Sequence, residues 1–132
     1  MSKFDAAKAV EPLEYDFKPY ADVSGTVPEP TDDQVAKFYG DLGHQFELAL
    51  GEERLEGHDM TEPADVAGLY LSLDADDHSR IYEQMLNLHA EVCSGQPDRD
   101  AIAALPFRLR RAWYGMVQGW LRPEVSTPAT ND

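Results

Sequence analysis

Residues 105–122, LPFRLRRAWYGMVQGWLR, hold both tryptophans of the chain and four of its eleven Lys and Arg residues, but no acidic residue. The remainder of the 132-residue chain carries all 25 Asp and Glu, and the formal net charge is −14. Helical spacing of three and four positions joins the apolar residues of the segment into one stripe, which predicts the core helix of a small bundle. The stripe consists of Leu109, Ala112, Trp113, Met116, Val117, Trp120 and Leu121.

The opposite face of this predicted helix is a candidate partner-binding site. Gly115 and Gly119 lie four positions apart on it, so a second helix or an extended arm can approach the backbone closely there. Arginines flank the two glycines, and Arg, Trp and Tyr are enriched at protein interfaces. The residues that we expect to bind a partner are Phe107, Arg108, Arg111, Trp113, Tyr114, Gly115, Gly119, Trp120 and Arg122.

Helical spacing also runs through the preceding part of the chain. A first helix is expected from the N-cap Thr31 to the stop at Gly51, and a polar connector follows it. A short helix capped by Thr61, a longer helix over about 76–94 and a turn capped by Asp98 come next. No segment carries a convincing strand pattern, so the helices alone are expected to form the core.

The sequence therefore predicts an all-α fold, a small bundle of about four helices. Four prolines in residues 1–30 predict an extended N-terminal arm, whose aromatic side chains dock on the body or on a partner. The helical domain is expected to span residues 31–123. The small, polar residues 124–132 are expected to form a frayed, flexible tail.

Charge and composition restrict the classes of partner. A strongly acidic surface is repelled by nucleic-acid phosphates and by anionic membranes, so we expect neither a nucleic acid nor a membrane as partner. The single cysteine and the lack of an apolar signal segment predict a soluble protein of a reducing cytoplasm. An acidic surface serves solubility, a basic partner or the imitation of a nucleic acid, and composition does not choose among them.

Chemistry-bearing residues are present, but they do not form a recognisable catalytic set. His89 and Cys93 share one helical face, yet a structural zinc site needs about four ligands, and a partly buried His beside a core thiol is the simpler interpretation. The acidic run at 74–78, DADDH, lacks the glycine of a calcium loop and fits helix capping. We therefore expect a protein that is not an enzyme and that has no catalytic residues, no metal and no cofactor.

Two stretches carry a family resemblance. LPFRLRRAWYGMVQGWLRPEVSTPAT resembles the C-terminal part of small acidic tail assembly chaperones of long-tailed actinobacterial phages, in which a helix starting with Leu-Pro and an aromatic residue precedes a Ser/Thr-rich end. The segment YDFKPYADVSGTVPEPTDDQVAKFY is similar to the start of such proteins. Together the two stretches cover about half of the chain.

The resemblance implies a function and a set of partners. It implies a mostly helical chaperone that binds the tape measure protein and keeps it soluble while the tail tube assembles. The implied partners are apolar helical segments of the tape measure protein, a longer frameshifted form of the chaperone itself, and further copies in a homo-oligomer. The chain would be the short, non-frameshifted form, would act in the cytoplasm of the bacterial host, and would not be retained in the mature virion.

Two alternative functions remain open at this point. The charge alone is also compatible with an acidic inhibitor that imitates DNA and occupies a host nucleic-acid-binding protein. A small adaptor protein of the virion is the other alternative, although such ring-forming proteins usually contain β-structure, which the sequence does not predict.

Overall fold

The structure is a computed structural model that describes residues 3–6 and 11–122. Within residues 11–122 the chain forms two short strands and seven helices, so the described part is mostly helical, as predicted. The strands are β1 (Glu14–Asp16) and β2 (Ser24–Thr26). The helices are α1 (Asp32–Gly43), α2 (Gln45–Leu50), α3 (Glu52–Leu55), α4 (Pro63–Ser72), α5 (Ala75–Val92), α6 (Arg99–Ala104) and α7 (Phe107–Leu121).

The chain divides into two compact units. The first unit joins the segment that ends at Pro30 to the segment that begins at Cys93, so it contains both strands, α6 and α7. The second unit is Thr31–Val92 and contains α1 to α5. The predicted domain boundaries stay a prediction, and the predicted tail at 124–132 lies outside the described residues.

A β-hairpin in the first unit is the main departure from the predicted fold. Its strands pair in antiparallel fashion, and two bonds extend the ladder, from Phe17 N to Val23 O (3.1 Å) and from Val27 N to Leu13 O (2.8 Å). The all-α prediction is therefore wrong for this segment, in which the chain folds back on itself. The opposed pairs are Glu14 with Thr26, Tyr15 with Gly25, and Asp16 with Ser24.

The core of the second unit lies between α4, α5 and the helices that precede them. Leu69, Leu73 and Ile81 form its buried cluster. The ring of Phe38 meets the imidazole of His89 edge-on, with centroids 5.1 Å apart, and both side chains are buried. Partly buried side chains complete the cluster: Phe46, Ala49, Leu50, Leu55 and Met60.

Of two N-caps predicted for helices of the second unit, the structure confirms one and contradicts the other. Thr31 caps α1 as predicted, because its Oγ1 accepts from Gln34 N (3.1 Å) while Gln34 Oε1 accepts from Thr31 N (2.8 Å). Thr61 does not cap a helix. Its N–H and hydroxyl both donate to Asp59 Oδ1, at 2.9 and 2.6 Å, and α4 starts at Pro63 instead.

The number of helices also differs from the prediction of about four. The expected helix from Thr31 to Gly51 is divided at His44, next to Gly43, since glycine has a low helix propensity and two of them fall in this stretch. Gly51 ends α2 with a φ of 91°, as predicted, and the following connector contains the short α3. The predicted first helix is therefore two helices, and the predicted connector contains a third, so the unit has more and shorter helices than expected.

The acidic run at 74–78 holds the start of α5. Asp74 and Asp77 cap each other's backbone, since Asp74 Oδ1 accepts from Asp77 N (2.9 Å) and Asp77 Oδ2 accepts from Asp74 N (3.2 Å). Arg54 forms a two-pronged ion pair with the buried Asp77 carboxylate, at 3.0 and 2.6 Å. The Arg54 guanidinium thereby lowers the pKa of Asp77 to about 2. These acids stabilise the fold, as their capping pattern predicts.

Because His89 is buried, we expect the second unit to be less stable at acidic pH. Its Nδ1 lies 2.7 Å from the carbonyl oxygen of Met85, and burial lowers the pKa of His89 from 6.5 to about 4. Between these pH values the unfolded chain binds a proton that the folded chain does not bind. The free energy of unfolding therefore falls as the pH drops from 6.5 to about 4, by up to about 3 kcal/mol.

Urea unfolding measured across this pH range checks the expectation. The variant His89→Gln, which cannot titrate, is expected to lose this part of the pH dependence, whereas His44→Gln at an exposed histidine is expected to retain it. An unchanged pH profile in His89→Gln would contradict the assignment.

Candidate partner-binding site

Helix α7 buries a face that is rotated from the stripe expected in the sequence. Trp113 and Val117 are buried as predicted, and Tyr114 is buried beside them. Leu109 and Met116, which the stripe placed in the core, are 45% and 56% exposed. The predicted core helix exists, but part of its apolar stripe remains on the surface.

The exposed part of the stripe consists of Leu109, Ala112 and Met116, which we call the α7 strip. These residues are three and four positions apart and therefore form one continuous row along the helix. Single exposed apolar residues are ordinary on a protein surface, but a contiguous row is typical of a binding site. The α7 strip is consequently the part of this helix most suited to a partner.

The hairpin packs beside the strip through its aromatic residues. The rings of Phe17 and Tyr15 meet the Trp113 indole edge-on, with centroids 5.3 and 6.1 Å away. Trp120 adds a polar contact, since its Nε1 donates to the carbonyl oxygen of Glu11 at 3.0 Å. The hairpin therefore packs on α7 of its own chain through Tyr15 and Phe17.

A cleft of about 260 Å³ lies between β1 and the α7 strip, and we call it the hairpin cleft. Consecutive residues of β1 and the following turn line one wall, whereas no residue of β2 does. The cleft is open to solvent and mostly apolar on its helix side. Its lining residues are Glu14, Tyr15, Asp16, Phe17, Lys18, Tyr20, Leu105, Leu109, Ala112, Trp113 and Met116.

The nine residues predicted to bind a partner differ in their exposure and form three groups. Trp113 and Tyr114 are buried, and burial raises the pKa of Tyr114 to about 12. Trp120 is half-buried and bonded to the hairpin. Six residues are exposed: Phe107, Arg108, Arg111, Gly115, Gly119 and Arg122.

Arginine and glycine dominate the solvent face of α7. The guanidinium of Arg111 and that of Arg110 each lie 5.8 Å from the centre of the Phe107 ring, within the range of a cation–π contact. A Cβ atom added at Gly115 or at Gly119 would meet no heavy atom within 4 Å. No described residue of the chain therefore occupies the close approach that the two glycines permit.

The sequence prediction missed the hairpin and the α7 strip as parts of the site. The signal for the hairpin was present, because residues 13–17, LEYDF, alternate apolar and acidic side chains in the two-residue period of a strand. Residues 23–27, VSGTV, place Ser and Thr between two valines and a central glycine with the same two-residue period, and KPYAD supplies a turn between the two stretches. The proline-rich surroundings favoured an extended arm and concealed this alternation.

The second unit has an apolar surface of its own. Leu71 is 87% exposed and Tyr70 39% exposed on α4. They border an open depression of about 600 Å³, which has little polar lining. Its lining residues are Met60, Thr61, Pro63, Val66, Ala67, Tyr70 and Leu71.

The side chains considered for catalysis or metal binding are buried or have structural contacts. Burial raises the pKa of the Cys93 thiol to about 12, so the thiolate needed for nucleophilic attack is disfavoured at neutral pH. His89 is buried with its imidazole at the Met85 carbonyl. Across residues 3–6 and 11–122, no group of three or more His, Cys, Asp or Glu side chains is placed to hold a metal ion.

Comparisons with known proteins add no relative. No protein-family model, no curated protein and no solved structure matches the chain. None of the described helices is both long and apolar enough to cross a membrane.

Alanine at the two open glycines of α7 is expected to stabilise the protein. The added methyl groups meet no described atom, and alanine has a helix propensity about 1 kcal/mol more favourable than glycine. Gly115→Ala and Gly119→Ala should each raise the free energy of unfolding by about that amount, measured by urea denaturation. A loss of stability would contradict the open placement of this helix face.

Truncation of Phe17 is expected to release the hairpin. Phe17 is buried against Trp113, so Phe17→Ala should lower the free energy of unfolding by about 3 kcal/mol and change the tryptophan fluorescence. The matched control is Tyr20→Ala, at a ring of the same hairpin that is 49% exposed, with an expected change within about 0.5 kcal/mol. Equal effects of the two variants would contradict the aromatic docking.

Proposed function

We propose that the protein is a phage tail assembly chaperone, which binds the tape measure protein and keeps it soluble during assembly of the tail tube. The observation that carries the proposal is the α7 strip, a continuous apolar row on the surface of an otherwise acidic protein. It lies in the segment whose sequence resembles such chaperones. A holdase for apolar segments needs an accessible apolar surface of this kind.

The chemistry of the exposed residues supports this role. Met116 and Leu109 adapt to varied apolar side chains, since methionine in particular is flexible and polarisable. The apolar depression on α4 of the second unit provides further surface of the same character. A formal net charge of −14 would keep a complex with an aggregation-prone partner in solution.

The remaining parts of the proposal follow from the chemistry of the residues and from the resemblance. The protein acts by binding and not as an enzyme, and it requires neither a metal nor another cofactor. It works in the cytoplasm of a bacterial host and is absent from the mature virion. A longer frameshifted form of the chain and further copies of the chain are its other proposed partners.

Co-expression with the cognate tape measure protein tests the function. With the wild-type chain the tape measure protein should remain in the soluble fraction and should co-purify with the chaperone. Equal insolubility of the tape measure protein with and without the chain would rule out the proposal. Mass spectrometry of purified virions distinguishes an adaptor protein, which would be present in stoichiometric amounts.

Variants of the α7 strip test whether this strip is the surface that binds the tape measure protein. The double variant Leu109→Ser, Met116→Ser removes two apolar contacts of about 1.5 kcal/mol each, so binding should weaken by at least about tenfold. Leu48→Ser is the matched control, because Leu48 is 51% exposed but belongs to the second unit. Wild-type binding by the double variant would exclude the α7 strip as the binding surface.

A salt titration separates the chaperone from the DNA-mimic alternative. Apolar binding to the tape measure protein should persist at high ionic strength, whereas binding of a DNA mimic to a basic host protein should weaken steeply. Capture of the tape measure protein only at low salt would count against the chaperone.

A further inference from the structure

We propose that the hairpin cleft binds an extended segment of a partner chain, which adds a third strand along the free edge of β1. The segment carries apolar side chains towards the α7 strip and basic side chains on its alternate, outward positions. This inference goes beyond the proposed function, because it concerns how a polypeptide engages the chain and does not depend on which protein supplies the segment.

The hydrogen-bond register defines the free edge. Hydrogen bonds join Leu13 to Val27 and Phe17 to Val23 on either side of the two strands, so every second backbone position from Leu13 to Phe17 faces β2. The intervening residues, Glu14 and Asp16, direct their N–H and C=O groups away from β2. Within the described part of the chain the sheet has only two strands, and no strand pairs with this edge.

The hairpin cleft runs along this edge. All three residues of β1 line the cleft, as does the adjoining Phe17, while β2 contributes no residue. A strand added about 4.8 Å from β1 would therefore enter the cleft. Its inward side chains would then contact the α7 strip, which forms the opposite wall.

An extended occupant uses the cleft more fully than the alternatives. A helix satisfies its own backbone groups and would leave the outward groups of Glu14 and Asp16 without a protein partner. The volume of about 260 Å³ is also below the range of about 300–1,000 Å³ that is typical of small-molecule sites. Strand addition supplies backbone hydrogen bonds and buries the α7 strip at the same time.

The acidic side chains beside the hairpin cleft favour a basic segment as its occupant. The side chains of Glu14 and Asp16 are exposed on the outward face, and residues 11–30 contain five acids against one lysine. That lysine, Lys18, lies 3.9 Å from the carboxylate of Asp22. Opposite charges on neighbouring strands attract each other, so lysine or arginine at the outward positions of the segment is favoured.

The same charges argue against two other occupants. A second copy of the chain would place its own Glu14 and Asp16 against those of the first, and both chains carry a net charge of −14. Charged residues on edge strands commonly prevent such self-pairing. Residues 123–132, PEVSTPATND, contain two prolines, two acids and no basic residue, and so do not fit the site either.

Proline variants test the edge directly. Proline is tolerated on an edge strand where the N–H faces outward, so Glu14→Pro should keep the hairpin while removing one outward donor. Glu14→Gln removes the charge alone and isolates the contribution of the N–H group. Thr26→Pro is the matched control, because Thr26 is opposite Glu14 and its N–H points to the other edge of the hairpin.

The probe is a nine-residue, end-capped peptide of alternating valine and lysine, titrated into isotopically labelled full-length protein. Chemical shifts and slowed hydrogen exchange are expected at the backbone amides of Glu14 and Asp16 in the wild-type chain. Glu14→Pro should bind at least about tenfold more weakly than Glu14→Gln, since one bound carbonyl loses its donor. Thr26→Pro should bind like the wild type.

Several results would overturn the inference. The charge preference is wrong if a matched valine–glutamate peptide binds as tightly as the valine–lysine peptide, and the edge is wrong if Glu14→Pro and Glu14→Gln bind the peptide equally well. Tighter binding of a helical peptide of the same composition would contradict the extended conformation. Self-association through β1 that the peptide does not displace would identify a second copy of the chain as the occupant. The wild-type amide measurement decides the question even if a proline variant fails to fold. None of these results depends on the tape measure protein, so the proposed function is tested separately.

Discussion

The first unit depends on the contact between the hairpin and one indole ring, that of Trp113. A hairpin of two short strands is marginally stable in water on its own, so it needs a surface to pack on. Phe17 and Tyr15 obtain that surface from Trp113, and Trp120 adds a hydrogen bond to the backbone of Glu11. The same contact leaves the neighbouring row of α7 uncovered, and it creates a cleft where β1 meets the helix.

The parts of the fold that follow from local pattern were predictable, whereas those set by tertiary packing were not. Thr31, Asp98 and Gly51 occupy the capping positions that their side chains or backbone freedom predict, and α7 covers the helix expected there. Thr61 was predicted incorrectly because α4 starts one residue later than a Thr61 cap requires, with Glu62 at the N-cap position and Pro63 as its first residue. The hairpin was missed because two strands of three residues give a weak alternation, which proline-rich flanks obscure.

The candidate site was predictable to a similar extent. The helix, its exposed arginines and its open glycines were found from spacing alone. The division of the apolar stripe into a buried half and an exposed half was not, since seven apolar residues span a wider arc of the helix than one packing surface covers. Tyr114 is buried although the pattern left it out of the apolar stripe, and Leu109 is exposed although the pattern placed it in the core.

The first unit is built from segments that are far apart along the chain, and this separation has a consequence for biosynthesis. The bond between Trp120 and Glu11 joins residues 109 positions apart, whereas Thr31–Val92 is contiguous. On the ribosome the second unit can fold as soon as it emerges, but the hairpin cannot pack on Trp113 and Trp120 until both residues have been synthesised. Loop closure over this distance is entropically costly and slow, so the first unit should be the last part to assemble. Until then, Tyr15 and Phe17 lack the Trp113 ring on which they pack, and they are accessible to any ribosome-associated factor that binds aromatic residues.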